Sequence, residues 1–438
     1  MSLLEIIILV ITLTIFFHQA LYWVYFWQVK EYRRDRFVSG CKTDLKKIVL
    51  DQFNLRYWFR PKPTSRSLAS LFLALLFLLI LPGPVLLLLA PVTTALAIAV
   101  ATPIFVIYKK SLAQKAALVM RNYPGVVIGI TGSFGKSSTK EFLAQVLGQK
   151  FKVAKTPANV NSEIGVVQTV LKLKGDEEVF IVEMGAYKRG EIKAICDIVR
   201  PQIGIITGLG DQHLELFQTL NNLKKAKYEL IEALPKDGLA MVADKDFFQS
   251  EAKDSREFFD HVEFLYDQQK FFVPVLGQDL IRNVIAVIKV SQKLGLTLPR
   301  IAAGLKNIDK NKISPRLVKL SDDIYIVDDS YNASYESFIS SLNYLRLFPG
   351  FTKVVVTPGI IELGDKAKND HQKIGQKLES VDKVFVTSPA FYQELNVAGK
   401  AELITTNLSR HLKIWKKPKT VFLFKGRVPA AIIKSLYD

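Results

Sequence analysis

At 438 residues the chain is long enough for two or three domains that each bury a hydrophobic core. Its two cysteines exclude a disulfide framework and cannot by themselves complete a four-ligand zinc site. The net charge of +18 favours acidic partners, and the densest basic cluster, residues 30–66, has eleven Lys or Arg against four Asp or Glu, a net of +7. Because apolar segments flank this cluster, it indicates a membrane surface and not nucleic acid as the partner.

The N-terminal segment has the composition of a membrane span. Residues 3–28 carry one charged residue in 26 positions and end in an aromatic cluster. This length matches a hydrocarbon core of about 30 Å, and aromatic side chains are typical of the membrane interface. A cleaved signal peptide is disfavoured because no basic residues precede the long apolar run. We therefore predict a transmembrane helix over 3–28.

A second apolar segment, residues 67–108, has no charged residue in 42 positions, which is about twice the length of one span. Leu81-Pro82-Gly83-Pro84 near its middle predicts a turn. The segment therefore predicts two paired helices over 67–82 and 85–107, with a re-entrant hairpin as the alternative.

Basic residues predict the orientation of these spans. The 30–66 loop and Lys109-Lys110 both belong on the cytoplasmic side under the positive-inside rule. The sequence thus predicts a multi-pass protein of the cell membrane, with residues 1–112 as its membrane region and the rest in the cytoplasm. Anionic lipid or a lipid diphosphate is the expected partner of the basic loop.

A glycine-rich segment follows, Val126-Val-Ile-Gly-Ile-Thr-Gly-Ser-Phe-Gly-Lys-Ser-Ser-Thr-Lys-Glu141. An apolar strand leads into two glycines, and Lys136 opens a pattern of helical spacing. Backbone N–H groups at such a helix start bind polyphosphate, Lys136 would neutralise its β and γ oxygens, and Ser137 would reach Mg²⁺. The sequence therefore predicts an ATP site here.

Apolar strands alternate with helical patterns along the rest of the chain. This alternation predicts an α/β fold, with a doubly wound, mostly parallel sheet in residues 113–313 and a C-terminal Rossmann-like domain in 314–438. Residues 246–280 show no regular alternation. The predicted strands are Val126–Ile130, Val179–Val182, Ile203–Ile206 and Leu239–Val242, then Ile324–Val327, Lys353–Val356, Lys383–Val386 and Val421–Phe424.

The phosphate loop resembles that of the Mur ligase family, Thr-Gly-(Ser/Thr)-x-Gly-Lys-(Ser/Thr)-(Ser/Thr), and differs from the general Walker A spacing at Ile130. The resemblance extends over about residues 120–438. It implies that the ATP contacts include Thr131, Gly132, Ser133, Gly135, Lys136, Ser137 and Ser138.

Three further residues carry the predicted catalytic chemistry with Lys136. Glu183 ends a buried strand, where a carboxylate suits an Mg²⁺ ion shared with Ser137. By resemblance, His213 helps to hold a second Mg²⁺, and Lys227, fourteen residues further on, is carbamylated and so becomes a metal-binding anion.

Other segments resemble substrate and nucleotide contacts of the family. Residues 156–165 are similar to its Asn-x-Asn-Asn-Glu-Ile-Gly segment, and residues 327–337 resemble the Asp-Asp-(Ser/Thr)-Tyr-Asn-Ala signature of the D-alanyl-D-alanine-adding branch, MurF. Glu362-Leu363-Gly364 resembles a further stretch of that branch. The implied substrate residues are Asn159, Asn161, Ser162, Asp328, Tyr331 and Asn332. The implied ATP contacts are Asn283 at the adenine, after Arg282 where relatives usually have His, together with Arg316 and Asp329.

The resemblance implies an ATP- and Mg²⁺-dependent amide-bond ligase of peptidoglycan precursor synthesis. Such an enzyme activates a muramoyl-peptide carboxylate as an acyl phosphate and joins it to D-alanyl-D-alanine. Because membrane segments stand where relatives have a UDP-sugar domain, a lipid-linked acceptor is a further hypothesis.

Two alternatives stay open at this point. One is a Mur-like ligase or amidating enzyme that acts on another membrane substrate, although the cysteine cluster of that group is missing. The other is a non-catalytic nucleotide-binding scaffold, which retention of Lys136, Glu183, His213 and Lys227 disfavours.

Overall fold

The computed structural model divides the chain into two compact units, Met1–Ala113 and Gln114–Asp438. It describes residues 2–30, 32, 37, 48–54, 61–76, 83–210, 214–243, 251–321, 323–330 and 333–437. The predicted site residues His213, Tyr331 and Asn332 lie outside this described part of the chain.

Three helices account for most of the described N-terminal residues: α1 (Leu3–Val29), α2 (Ser65–Leu76) and α3 (Gly83–Arg121). Two stretches, Ile6–Val29 and Ala90–Arg121, are long and apolar enough to cross a bilayer, each with a mean hydropathy of 2.0. Helix α2 has 12 residues, which at 1.5 Å per residue is about 18 Å, shorter than a hydrocarbon core.

The predicted bounds of these last two helices need correction. Helix α3 continues to Arg121 instead of ending near 107, because the residues after Lys109-Lys110 are good helix formers such as Ala, Leu, Lys and Gln. Helix α2 begins two residues early, since Thr64 and Ser67 cap it reciprocally with bonds of 3.1 and 2.9 Å between backbone N–H and hydroxyl oxygen. Residues 77–82 lie outside the described part, so the choice between two spans and a hairpin stays open.

A five-stranded parallel sheet forms the middle of the chain, in the order β2-β3-β1-β4-β5, and confirms the predicted doubly wound fold. Its strands are β1 (Val126–Thr131), β2 (Val153–Lys155), β3 (Val179–Glu183), β4 (Ile203–Ile206) and β5 (Leu239–Val242). Between them run α4 (Lys136–Leu147), α5 (Glu163–Val170), α6 (Glu191–Val199), α7 (Leu214–Phe217) and α8 (Leu220–Glu232).

Residues 246–280, for which the sequence shows no regular alternation, contain a three-stranded antiparallel sheet. Its strands are β6 (Lys253–Glu257), β7 (Val262–Tyr266) and β8 (Gln269–Val273). Asp267 and Gln268 join β7 to β8 with φ values of 47° and 63°. This tight hairpin geometry normally selects Asn-Gly, so the Asp-Gln pair carries little turn signal. Helices α9 (Ile281–Lys293) and α10 (Leu298–Lys306) follow and pack into the same hydrophobic core.

The C-terminal sheet has six strands in the order β13-β12-β11-β14-β10-β9, all parallel except the antiparallel edge strand β9. The strands are β9 (Arg316–Ser321), β10 (Ile324–Asp329), β11 (Thr352–Thr357), β12 (Lys383–Val386), β13 (Ala401–Leu403) and β14 (Thr420–Lys425). The helices are α11 (Tyr335–Tyr344), α12 (Ala367–Lys377), α13 (Tyr392–Leu395), α14 (Leu408–Trp415) and α15 (Ala430–Lys434).

Candidate active site

The phosphate loop joins strand β1 to helix α4. Gly132 and Gly135 adopt φ values of 147° and 81°. A Cβ on Gly132 would lie 2.0 Å from Thr207 Oγ1, and one on Gly135 would lie 2.3 Å from Asn283 Nδ2. Both positions therefore need glycine for space as well as for conformation. With Gly135 as the N-cap, the first N–H groups of α4 receive no side-chain cap from the described residues and are available to an anion.

Lys136 is folded back onto its own loop. Its Nζ donates to Gly132 O at 2.7 Å and to Ser133 O at 3.2 Å. Burial lowers the pKa of Lys136, and the nearby Glu183 carboxylate opposes that effect. The amine is thus positioned at the loop, where an incoming phosphate could replace the carbonyl contacts with stronger charged ones.

Glu183 ends β3 beside β1, opposite Ile130 in the register. Its Oε2 accepts hydrogen bonds from Ser137 Oγ and Lys140 Nζ, both at 3.0 Å, and its Oε1 accepts one from Asn161 Nδ2 at 3.1 Å. Burial by itself would raise the pKa of Glu183, but Lys140 and Lys136 hold it below the ordinary value. Glu183 is therefore an ionised, buried carboxylate next to the phosphate loop.

Lys140 is a site residue that the sequence analysis missed. It is fully buried and pairs with Glu183, while also donating to Pro157 O at 3.2 Å. A signal was present in the sequence: Lys140 lies one helical turn after Lys136, at the spacing that puts two side chains on one face.

The Ser137 hydroxyl and Glu183 carboxylate fit a magnesium ion. Mg²⁺ in nucleotide sites commonly takes one or two protein oxygens and completes its shell with phosphate oxygens and water. The residues that the structure describes contain no cluster of three or more His, Cys, Asp or Glu side chains, so phosphate oxygens would have to supply the remaining ligands.

Lys227 lies in helix α8 and is 4% exposed. Burial is the main cause that lowers its pKa to about 7, and Lys136 adds to the shift, whereas Glu191 and Glu229 oppose it. Glu229 is itself held by N–H groups at the start of α6, from Gly190 at 2.6 Å and Lys193 at 3.1 Å. The structure thus brings Lys227 into the electrostatic neighbourhood of Lys136, with much of its amine neutral near pH 7.

The predicted substrate segment lies beside Glu183. The Asn161 side chain donates to Glu183, and the Asn161 backbone carbonyl accepts a hydrogen bond from Gly185 N at 2.8 Å. Asn159 has a φ of 64°, and Ser162 is the N-cap residue of helix α5. This geometry explains why short polar residues occupy the segment, since Asn tolerates the left-handed region.

Asn283 lies at the start of α9 against Gly135. Its side chain is fully buried, and neither Oδ1 nor Nδ2 has a hydrogen-bond partner among the described residues. Next to it, the guanidinium of Arg282 lies 4.8 Å from the centre of the Phe134 ring. A buried amide that lacks partners is costly, so it indicates a missing ligand with both a donor and an acceptor.

The C-terminal domain contributes a charged cluster in which Asp328, Asp329 and Lys425 are buried and Arg316 is partly exposed. Arg316 donates twice to Asp328 Oδ2, from Nε at 2.9 Å and from Nη2 at 2.7 Å. Asp329 accepts from Ser341 Oγ at 2.8 Å and from Lys425 Nζ, a fully buried amine that the sequence analysis missed. Arg316 and Asp329 are both predicted ATP contacts, and each has a charged partner within the protein: Arg316 pairs with Asp328, and Asp329 pairs with Lys425.

Hydrogen bonds between described residues join the C-terminal domain to the middle domain near this cluster. Ser138 Oγ, in the first turn of α4, donates to Ser314 O at 3.2 Å. Glu215 N donates to Glu362 O at 3.1 Å, which places the predicted Glu362-Leu363-Gly364 motif against helix α7. The segment that leads to Arg316 therefore lies at the phosphate helix.

Family models match both α/β domains. Residues 130–264 match the Mur ligase middle domain, and residues 316–427 match the glutamate ligase domain of Mur ligases. The chain is 34% identical over 271 residues to a UDP-N-acetylmuramoyl-tripeptide–D-alanyl-D-alanine ligase of Synechocystis, covering 58% of this chain and 60% of that protein. The alignment thus spans less than two thirds of that relative.

A longer match is with the enzyme of the same name from Buchnera aphidicola, 30% identical over 364 residues, 75% of this chain and 79% of that protein. The crystal structure of MurF ligase from Thermotoga maritima in complex with ADP superposes with a TM-score of 0.65 at 29% identity, covering 75% of this chain and 82% of that one. The chain therefore belongs to the Mur ligase family, in its MurF type.

Proposed function

We propose that this protein is an ATP-dependent ligase that activates the carboxylate of a muramoyl peptide and joins it to D-alanyl-D-alanine. The observation that carries the proposal is the cluster of Lys136, Ser137 and Glu183 at a glycine loop that leaves helix N–H groups open to an anion. The MurF relatives, one of which binds ADP, support the same conclusion.

ATP fits the residues present. The loop N–H groups and Lys136 suit the phosphates, and the unpartnered Asn283 amide suits adenine, which offers one donor and one acceptor at adjacent positions. Ser137 and Glu183 would hold Mg²⁺, which when bound stabilises negative charge on the transferring phosphoryl group.

The reaction balances in two steps. A substrate carboxylate oxygen attacks the γ-phosphorus of ATP, and ADP leaves to give an acyl phosphate. The amine of the second substrate then attacks the acyl carbon, phosphate leaves, and the ammonium proton passes to a base. Lys136 would stabilise charge in the first step. With a pKa of about 7, Lys227 has the neutral amine that carbamylation requires.

A coupled assay tests the ligase proposal. Full-length protein in detergent receives ATP, D-alanyl-D-alanine and either UDP-muramoyl tripeptide or its lipid-linked counterpart, and phosphate release is measured. We expect dipeptide-dependent release that falls at least about 100-fold in Lys136→Ala. The matched control, Lys225→Ala, changes an exposed lysine of helix α8 and should keep the wild-type rate. If no phosphate is released with the UDP-linked acceptor or with the lipid-linked acceptor, that is, if both reactions fail, the ligase assignment is rejected.

We also propose that α1 crosses the membrane and that α2 and α3, as two spans or as a hairpin, return to the same side, so that residues 30–66 and both α/β domains lie in the cytoplasm. The support is the length and hydropathy of α1 and α3 and the net charge of +7 in residues 30–66. The same assay decides the acceptor. A strong preference for the lipid-linked tripeptide would support a membrane-bound acceptor, and equal rates with both would limit the helices to anchoring.

A further inference from the structure

His371, in helix α12, is a fully buried imidazole in which both nitrogens are hydrogen-bonded. Its Nδ1 lies 2.6 Å from Ala367 O, one helical turn earlier, and its Nε2 accepts a hydrogen bond from Ile360 N at 2.9 Å. A carbonyl oxygen can only accept and a backbone N–H can only donate, so the ring is neutral and carries its proton on Nδ1. These contacts select one tautomer and exclude the imidazolium.

The loop that His371 contacts, residues 358–364, is fitted closely to the ring. Gly359 has a φ of 87°, and a Cβ at this position would lie 2.8 Å from His371 Nε2. The face of the imidazole stacks on Phe391, with 3.9 Å between the ring centres. The observed position of the loop therefore requires glycine at 359 and a hydrogen-bond acceptor at 371.

The loop follows strand β11 at the carboxyl edge of the C-terminal sheet, the edge at which open α/β sheets bind ligands. Gly359 O lies against Gly426, where a Cβ would be 3.0 Å away from it. Gly426 comes directly after Lys425, whose amine pairs with Asp329. His371 thus supports the loop against the strand ends that carry a predicted ATP contact.

The other end of the loop contacts the middle domain. Glu362, with a φ of 64°, accepts a hydrogen bond through its backbone carbonyl from Glu215 N at 3.1 Å, and a Cβ on Gly364 would lie 3.3 Å from Glu215 Cα. Glu215 belongs to α7 and comes two residues after the predicted magnesium ligand His213. One loop therefore joins the C-terminal strand ends to the segment of the middle domain that carries predicted metal chemistry.

We propose that His371 is a positioning residue of the ligase reaction, whose neutral imidazole holds the loop 358–364 in the conformation that aligns the two α/β domains. The inference rests on the proposed function and adds to it a residue that acts through the loop. A protonated ring would present an N–H group to Ile360 N–H, and this hydrogen bond would be lost. Misalignment should lower kcat more than it weakens nucleotide binding, because the phosphate loop lies wholly in the middle domain.

The surroundings of the ring favour its neutral form. Burial is the largest effect and lowers the pKa of His371, whereas the hydrogen bond to Ala367 and the Glu394 carboxylate raise it. His371 should therefore gain a proton only below its ordinary value of about 6.5. The charged residues of the elements packed against the ring are Glu362 in the loop, Glu394 on α13, and Lys368, Asp370, Lys373 and Lys377 on α12.

Two substitutions of His371 test this role in the phosphate-release assay. His371→Gln places an amide oxygen near the position of Nε2, so it can still accept from Ile360 N and should keep kcat within about three-fold of the wild type at pH 8. His371→Leu leaves that N–H buried without an acceptor and should lower kcat at least about ten-fold, while the KM for ATP changes less than about three-fold. The matched control, His411→Leu, changes a partly exposed histidine of α14 and should keep the wild-type kcat.

The pH dependence separates positioning from packing. The ratio of the wild-type rate to the His371→Gln rate should be constant above pH 6.5 and should fall at lower pH, because the imidazole gains a proton and glutamine does not. Wild-type kcat in His371→Leu, or a His371→Gln variant as slow as His371→Leu with an unchanged Tm, would overturn the proposal. If His371→Leu does not fold, a slow His371→Gln variant or a rate ratio that stays constant down to about pH 5 would overturn it.

Hydrogen exchange of residues 358–364 and 214–217 is measured on the same preparations, since it needs no catalysis. Both segments should exchange faster in His371→Leu and at the wild-type rate in His371→Gln. This exchange pattern in a wild-type protein without ligase activity would reject the proposed function and support the contact between His371 and the loop. An active wild type in which His371→Leu changes neither exchange nor kcat would reject the present inference alone.

Discussion

The Glu183 carboxylate is the residue on which the site depends. Three donors from two segments converge on it, namely Ser137 and Lys140 of helix α4 and Asn161 of the predicted substrate segment. A buried carboxylate stays charged only when such partners replace water. Lys140 therefore has a positioning role that its place inside helix α4 would not by itself suggest.

A double-mutant cycle measures the strength of this buried pair. Lys140→Met and Glu183→Gln should each lower the free energy of unfolding by about 3 kcal/mol, because each leaves a buried partner uncompensated, and the double variant should lose less than the sum. The control cycle, Lys193→Met with Asp197→Asn, removes an exposed pair in α6 and should show a much smaller coupling, because water and salt screen exposed charges. Equal coupling in the two cycles would contradict the assigned role of Lys140.

Lys227 should make stability depend on pH. Its pKa is lowered to about 7 in the folded protein, below the unfolded value near 10.4, so the unfolded chain binds more protons between these values. Stability from this group therefore rises with pH above 7 and is lost as pH falls through the folded pKa. Relative to Lys227→Met, the wild-type Tm in bicarbonate-free buffer should rise from pH 7 to pH 9.

The matched Lys225→Met variant, which changes an exposed amine, should show the same pH dependence of Tm as the wild type. A difference between wild type and Lys227→Met that does not change with pH would show that the amine has an ordinary pKa.

At the scale of elements, the strand-loop-helix unit β1-α4 depends on its glycines. Gly135→Ala combines a left-handed φ of 81° with a Cβ at 2.3 Å from Asn283 Nδ2, so it should displace Asn283 and weaken ATP binding by at least about ten-fold. Gly175→Ala, with a φ of 86° and open space around its Cβ, should cost about 1 kcal/mol of stability and leave the KM for ATP unchanged. Equal KM values in both variants would contradict the predicted nucleotide contact.

The predicted elements differ in how well local pattern specified them. Buried parallel strands such as β1 and β3 have continuous apolar runs, so the sequence predicts them within one residue. The short edge strand β2 was not predicted, because it has only three residues and all three are partly exposed. The antiparallel hairpin β7-β8 was not predicted, because its Asp-Gln turn carries little local signal. These elements form because neighbouring strands supply hydrogen bonds.

At the scale of the molecule, the second unit brings its two α/β domains together at the phosphate helix. The bond from Ser138 to Ser314 places the segment before Arg316 beside α4. Arg316 nevertheless pairs with Asp328, so a contact with ATP would need its guanidinium to leave that carboxylate or to share it. Domain movement on nucleotide binding is the expected source of such a change.

The proposed topology predicts which side of the membrane each segment faces. In a Cys41→Ser background, Lys62→Cys should react with an impermeant maleimide only in inside-out vesicles, because the basic segment should face the cytoplasm. Cys196 should stay unlabelled, since burial raises the pKa of its thiol to about 12. The matched Ser2→Cys variant should react only in right-side-out vesicles, and the reverse pattern would reject the topology.

The sequence by itself determined the phosphate loop, the two α/β domains and the family, because these depend on local runs of glycine, apolar and charged residues. Only the tertiary structure showed that Lys140 neutralises Glu183, that Lys425 pairs with Asp329, and that Lys136 lies close enough to help depress the Lys227 pKa. These properties arise from burial and from contacts between residues far apart in the chain. Electrostatic energies depend on distance and on exclusion of water, and neither quantity can be read from spacing along the sequence.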